Sequence, residues 1–172
     1  MRIVMMVLRN LFCVPGLFLR LLWLSHHYNG DYNPGFLQCK KIAAHAIKGG
    51  NIKAEIYNVD KLPKEDGFIL YPNHQGLFDT LMFFYSSPRP LAFVIKKEAK
   101  NIVLLKQAVE STGSLAMDRD DLRQSMQVIN PVADEVRQGR NYVIFAEGTR
   151  SKLGNRLLDF KGGSFKAAQK AK

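Results

Sequence analysis

Cysteine is scarce: Cys13 and Cys39 are the only two in 172 residues. Two thiols build neither a disulfide framework nor a thiolate metal cluster, and they fit a reducing compartment. Acid is also short, with 15 Asp and Glu against 25 Lys and Arg, a formal net charge of +10. Such an excess calls for an anionic partner: nucleic acid, an anionic bilayer, or a phosphorylated small molecule. No helix-turn-helix, zinc finger or aromatic strand motif stands out, so nucleic acid is not expected. An uninterrupted apolar run of membrane length is missing too. The stretch between Arg9 and Arg20 holds ten residues, against the roughly twenty needed to cross a bilayer. There is no repeat or low-complexity tract, and a hydrophobic content of 47% excludes general disorder.

What is present at the N-terminus is apolar and basic. Residues 3–24 are strongly apolar, broken by Arg9 and Arg20, and Pro15-Gly16 is expected to kink any helix there. A secretory leader would need a small-x-small cleavage site, which does not follow before Trp23. A tilted transmembrane span is the other alternative. The preferred reading is a helix lying in the membrane interface, its arginine stems reaching to the headgroups and Trp23 at the boundary. A second helix is expected from Asn33-Pro34 to Gly49-Gly50, with Phe36, Cys39, Ala43 and Ile47 at helical spacing. Together residues 1–50 read as a membrane-docking helical hairpin, and Lys40, Lys41 and Lys48 set their charge beside apolar residues.

From residue 51 onward the period changes. Residues 52–59 alternate as a half-exposed strand does. Strands are then expected at 68–71, 91–95, 114–117 and 142–146, and helices from about 77, over 100–109, 122–138 and 164–171. Strands alternating with helices and carrying near-continuous apolar runs predict an α/β domain over residues 51–172, a mostly parallel or mixed sheet covered by helices.

The chemistry concentrates where those strands end. His74 follows the run Phe68-Ile69-Leu70-Tyr71, and Asp79 lies five residues further on. On one continuous helix that spacing would set the two about 140° apart, out of reach. If Gln75-Gly76 turn and Asp79 starts a helix, the carboxylate folds back onto the imidazole and leaves the other ring nitrogen free as a base. Spacing alone does not single out this pair, because His26 and Asp31 share it; the preceding strand does. Lys96, Arg119, and Glu147 with Arg150 end the other apolar runs. In a parallel sheet these ends converge, setting one base and three cations around a cleft. Arg119 and Arg150 can each fork onto phosphate oxygens, Gly148 admits close backbone approach, and Thr149 and Ser151 add hydroxyls.

Asn73-His74 with Asp79, Gly113-Ser114-Leu115-Ala116-Met117-Asp118-Arg119, and Phe145-Ala146-Glu147-Gly148-Thr149-Arg150-Ser151 together resemble the first three motif blocks of the glycerolipid acyltransferase family, over about residues 52–170. The departures are Ala146 in place of a usual proline and Ala116-Met117 in place of a bulkier pair. The resemblance implies acyl transfer from an acyl thioester, acyl-CoA or acyl-carrier protein, to the sn-2 hydroxyl of lysophosphatidic acid, with no metal or other cofactor. It implies His74 as general base, Asp79 as its orienting partner in the family's HX4D motif, and Arg119, Glu147, Gly148, Thr149 and Arg150 as acceptor-binding, with Lys96 a further candidate. It also implies a membrane-seated protein on the cytoplasmic face. A fourth motif, a proline-containing strand, would follow Lys172, so the expectation is either that the domain is truncated there or that the protein lacks the wall this motif builds. Alternatives are another acceptor, such as glycerol 3-phosphate or a lysophospholipid, or a non-catalytic basic membrane-binding module.

Overall fold

The computed structural model describes residues 2–118, 121–151 and 156–172. Three helices open the chain: α1 (Arg2–Arg9), α2 (Val14–His26) and α3 (Asn33–Gly49). The expected kinked helix is in fact two, and the break falls at 10–13, ahead of Pro15. Pro15 sits in the first turn of α2, where its missing N–H costs nothing, so it starts a helix instead of bending one. Cys13 lies exposed in that break, whereas Cys39 is buried in α3. There burial pushes its thiol up to about 12, which makes it an inert apolar group.

The alternation over residues 52–59 does not produce a strand. The segment is irregular, bounded by left-handed Asn51 and Asn58, and Ile56 and Tyr57 stay exposed. Its period is satisfied along its own length: Lys53 pairs with Glu55 at 2.6 Å, and the Tyr57 hydroxyl donates to the same carboxylate at 2.7 Å. Alternate side chains of an extended chain share a face, so pattern alone does not guarantee a partner strand.

The sheet follows. Strand β1 (Ile69–Leu70) leads to α4 (Leu77–Ser86), β2 (Ala92–Lys96), a 3-10 turn at Lys97–Asn101, α5 (Leu105–Ser111), β3 (Leu115–Met117), α6 (Leu122–Arg137) and β4 (Tyr142–Ile144). A 3-10 turn at Gly162–Phe165 and α7 (Lys166–Ala171) end the chain. All four strands are parallel, in the order β1-β4-β2-β3. The helix expected over 100–109 begins later, because Leu104 takes a left-handed φ of 73° and caps α5. Asp121 caps α6 by accepting from the Gln124 N–H at 3.0 Å, and left-handed Gly139 closes it.

Strand residues alternate between two cores. Phe93, Val143 and Phe145 face a cluster with Leu21, Phe36, Cys39, Ala43 and Phe84, while Ala92, Val94, Tyr142 and Ile144 meet Val128, Ile129, Val132 and Val136 of α6. The first cluster draws α2 and α3 into the same core as the sheet. Gly35 allows this approach, since a Cβ there would stand 2.0 Å from the Ser111 carbonyl oxygen. Arg140 ties the α2–α3 connection to the sheet: it donates to the Tyr28 hydroxyl at 2.9 Å and lies 4.4 Å over the Tyr32 ring.

Candidate functional site

Because the strands are parallel, their C-terminal ends share one edge, and the loops after β1, β2, β3 and β4 gather there. The loop after β1 carries His74. Gly76 is the N-cap of α4 in extended backbone, and Asp79 is the third residue of the helix. One carboxylate oxygen of Asp79, Oδ2, accepts three donors: the Gln75 N–H at 2.7 Å, the Gly76 N–H at 3.0 Å and His74 Nδ1 at 2.9 Å. The cap that starts the helix therefore also holds the imidazole. Burial pushes the Asp79 carboxyl up, but the bonds from Gly76, Gln75 and His74 outweigh it and hold the group below the ordinary carboxylate range. With Nδ1–H donated to Asp79, the lone pair of the neutral ring belongs to Nε2.

His74 is fixed on every other side. Its N–H donates to Glu147 Oε1 at 2.8 Å, its carbonyl accepts from the Ser151 N–H at 2.7 Å, and its ring stacks on Phe145 at 4.1 Å between centroids. Glu147 is 2% exposed, and its second oxygen accepts from the Leu158 N–H at 3.0 Å. A residue expected to meet the acceptor thus binds the histidine loop and the 156–158 segment from below. Phe145 was not expected to have a role at all; the signal was its place as the last aromatic residue of the apolar run that ends at Glu147.

Of the other candidates, Gly148 adopts φ 71°, a turn that glycine makes without strain, and donates to the Phe145 carbonyl at 3.0 Å. Thr149 and Arg150 are exposed on that turn, two residues and one residue before the Ser151 bonded to His74. Lys96 is exposed at the end of β2 and pairs with Glu98 at 3.1 Å, and Lys97 reaches Asp118 at 3.5 Å. Arg119 lies outside the described residues. The alternative pair, His26 and Asp31, is not joined: His26 Nδ1 contacts the Leu22 carbonyl and Asp31 accepts from Asn33.

Cavities flank the pair. One of about 270 Å³ is lined by Pro72, Asn73, Gln75, Asp79, Met82 and Phe83. Another, of about 250 Å³, runs under Phe145 and Gly148, with Lys161 and Lys166 beside Met117 and Met126. Starting at Thr80 and Leu81, next in chain to Asp79, an apolar groove runs along α3 and α5 as a cavity of about 240 Å³. It continues beneath α1 and α2 as one of about 440 Å³, both being lined by Ile42, Leu81, Val103 and Leu104. Among the described residues no group of three His, Cys, Asp or Glu side chains is arranged to hold a metal ion. None of the described helices is long and apolar enough to cross a membrane.

A family model described as Acyltransferase matches residues 53–172. Among curated proteins, the 1-acyl-sn-glycerol-3-phosphate acyltransferase of Helicobacter pylori is 31% identical over 115 residues, covering 66% of this chain and 48% of its own length. A probable 1-acyl-sn-glycerol-3-phosphate acyltransferase of Mycoplasma genitalium is 34% identical over 130 residues, covering 73% and 47%. The chain thus spans about half the length of the curated relatives it matches. Among solved structures, the 1-acyl-sn-glycerophosphate acyltransferase PlsC of Thermotoga maritima superposes with a TM-score of 0.73 at 21% identity, over 99% of this chain and 72% of that one.

Proposed function

The chain belongs to the acyltransferase family, and from that premise we propose that it transfers an acyl group from an acyl thioester to the sn-2 hydroxyl of lysophosphatidic acid, yielding phosphatidic acid. The observation that carries this reading is the 2.9 Å bond between His74 Nδ1 and Asp79. It fixes the tautomer in which Nε2 accepts a proton. His74 takes the proton of the sn-2 hydroxyl as that oxygen attacks the thioester carbonyl; the carbon–sulfur bond then breaks, and the imidazolium gives its proton to the departing thiolate, which restores the neutral base. No covalent enzyme intermediate is needed.

Arg150 and Arg119 bind the acceptor phosphate, with Lys96 at the same edge, and so convert affinity into orientation of the hydroxyl. Glu147 acts by holding the histidine loop. The donor is acyl-CoA or acyl-carrier protein, the two classes of thioester this chemistry uses. An acyl chain lies in the apolar groove lined by Thr80 and Leu81, which supports a membrane-seated enzyme whose α1 and α2 rest in the interface on the cytoplasmic face. The test is turnover of lysophosphatidic acid with each thioester, in wild-type protein and in His74→Ala. Acceptor-dependent phosphatidic acid formed by the wild type and lost in the variant is the expected result; release of free fatty acid without acceptor would point to a hydrolase instead.

A further inference from the structure

Between the 3-10 turn at 97–101 and α5, three aliphatic residues stand in solvent: Ile102, Val103 and Leu104, with Val103 72% exposed. This is a built tip. Buried Gln107 accepts from the Leu104 N–H at 2.8 Å, holding Leu104 in its left-handed conformation, and the Lys106 N–H returns to the Ile102 carbonyl at 2.8 Å. A branched side chain at positive φ and three unburied aliphatics run against folding preference, so such a tip points to use.

The tip is continuous with the N-terminal helices. Val103 and Leu104 line the 440 Å³ cavity together with Met6, Val7, Val14 and Leu17 of α1 and α2. Those helices and the turn between them present their own apolar residues, with Phe12 in the turn 97% and Trp23 in α2 58% exposed. The charge around this face is nearly of one sign. Arg9, Arg20, Lys41 and Lys48 are exposed on α1–α3, where Asp31 is the one acid within residues 2–49, and exposed Lys100 and Lys106 bracket the tip, with Glu98 pairing Lys96 at 3.1 Å and Glu110 4.0 Å from Lys106. A second copy of this chain would set those cations against each other, whereas an anionic bilayer meets both the apolar surface and the charge.

We propose that the Ile102–Leu104 loop is a second membrane-insertion element, entering the hydrocarbon beside α1 and α2 so that the apolar groove opens sideways into the leaflet. A lipid acyl chain then passes between bilayer and groove without crossing water. The inference rests on the membrane-seated reading above and adds to it a contact some eighty residues from the N-terminal helices.

The probe is Val103→Trp in a Trp23→Phe background, mixed with phosphatidylcholine/phosphatidylglycerol vesicles whose acyl chains carry bromine. The tryptophan at 103 is expected to shift blue and to be quenched, and Val103→Asp to lower vesicle partitioning about tenfold. Trp23 in otherwise unaltered protein is measured in parallel. Quenching of Trp23 with none at position 103 overturns the loop assignment alone. If neither is quenched, the membrane-seated reading falls and takes this inference with it. A vesicle-independent dimer that shields position 103 would assign the face to a second copy and overturn the proposal as well.

Discussion

Glu147 accepts the backbone N–H of His74 at 2.8 Å, so the strand end that carries one motif holds the loop that carries another. The bond joins residues 73 positions apart, and Ser151 closes the same connection from the other side by donating to the His74 carbonyl. The position of the imidazole is thereby set by the sheet.

Glu147→Gln keeps the size of the side chain but replaces one acceptor oxygen with a donor facing a backbone N–H. A buried unpaired donor costs about 1–3 kcal/mol. The expected outcome is a lower unfolding midpoint with kcat falling more than KM rises, checked by denaturant melts and steady-state kinetics. Unchanged kcat in a destabilised protein would confine Glu147 to stability.

Asp79→Asn keeps one amide oxygen to accept from the Gln75 and Gly76 N–H groups but removes the negative charge that orients the imidazole and stabilises it once it holds the proton. Turnover should drop about 10²–10⁴-fold. The carboxyl is held below its ordinary range in the folded protein, so its stabilisation is full above the unfolded carboxylate value and is lost as pH falls through the lower folded value. The difference in melting temperature between wild type and Asp79→Asn should therefore stay constant above about pH 5 and shrink on further acidification. A difference that grows with acid would reverse the assignment.

The pair His74–Asp79 was legible in the sequence because a short apolar run, a Gly turn and an acid at a helix start are local signals. The strands at 92–96 and 142–144 were legible too, their side chains being apolar on both faces of a covered sheet. Residues 52–59 misled because alternation records a shared face, and the Lys53–Glu55–Tyr57 ladder supplies one without a neighbouring strand. The left-handed Leu104 was invisible, since it depends on Gln107 reaching back to its N–H. So were the stacking of His74 on Phe145 and the clamp of Arg140 on Tyr28 and Tyr32, which join residues far apart in the chain.

Arg150→Ala should raise the acceptor KM about tenfold or more with kcat little changed, because a charge-assisted bond to phosphate contributes about 1.5–3 kcal/mol. Steady-state kinetics with acceptor varied at saturating thioester are the check. An unchanged KM would remove Arg150 from the acceptor site.

Arg140→Ala removes a half-buried cation that lies over the Tyr32 ring and donates to the Tyr28 hydroxyl, far from the strand ends that carry His74. It should lower stability by about 2 kcal/mol, leaving the acceptor KM of the folded enzyme unaltered. Chemical denaturation alongside kinetics separates the two effects.

The most direct test of the whole account is turnover by His74→Ala, with circular dichroism and the melting temperature confirming that the fold is kept. Loss of at least about 10²-fold in kcat in a folded protein is the predicted result. Turnover close to that of the wild type would mean that His74 Nε2 does not take the proton, and would contradict the mechanism.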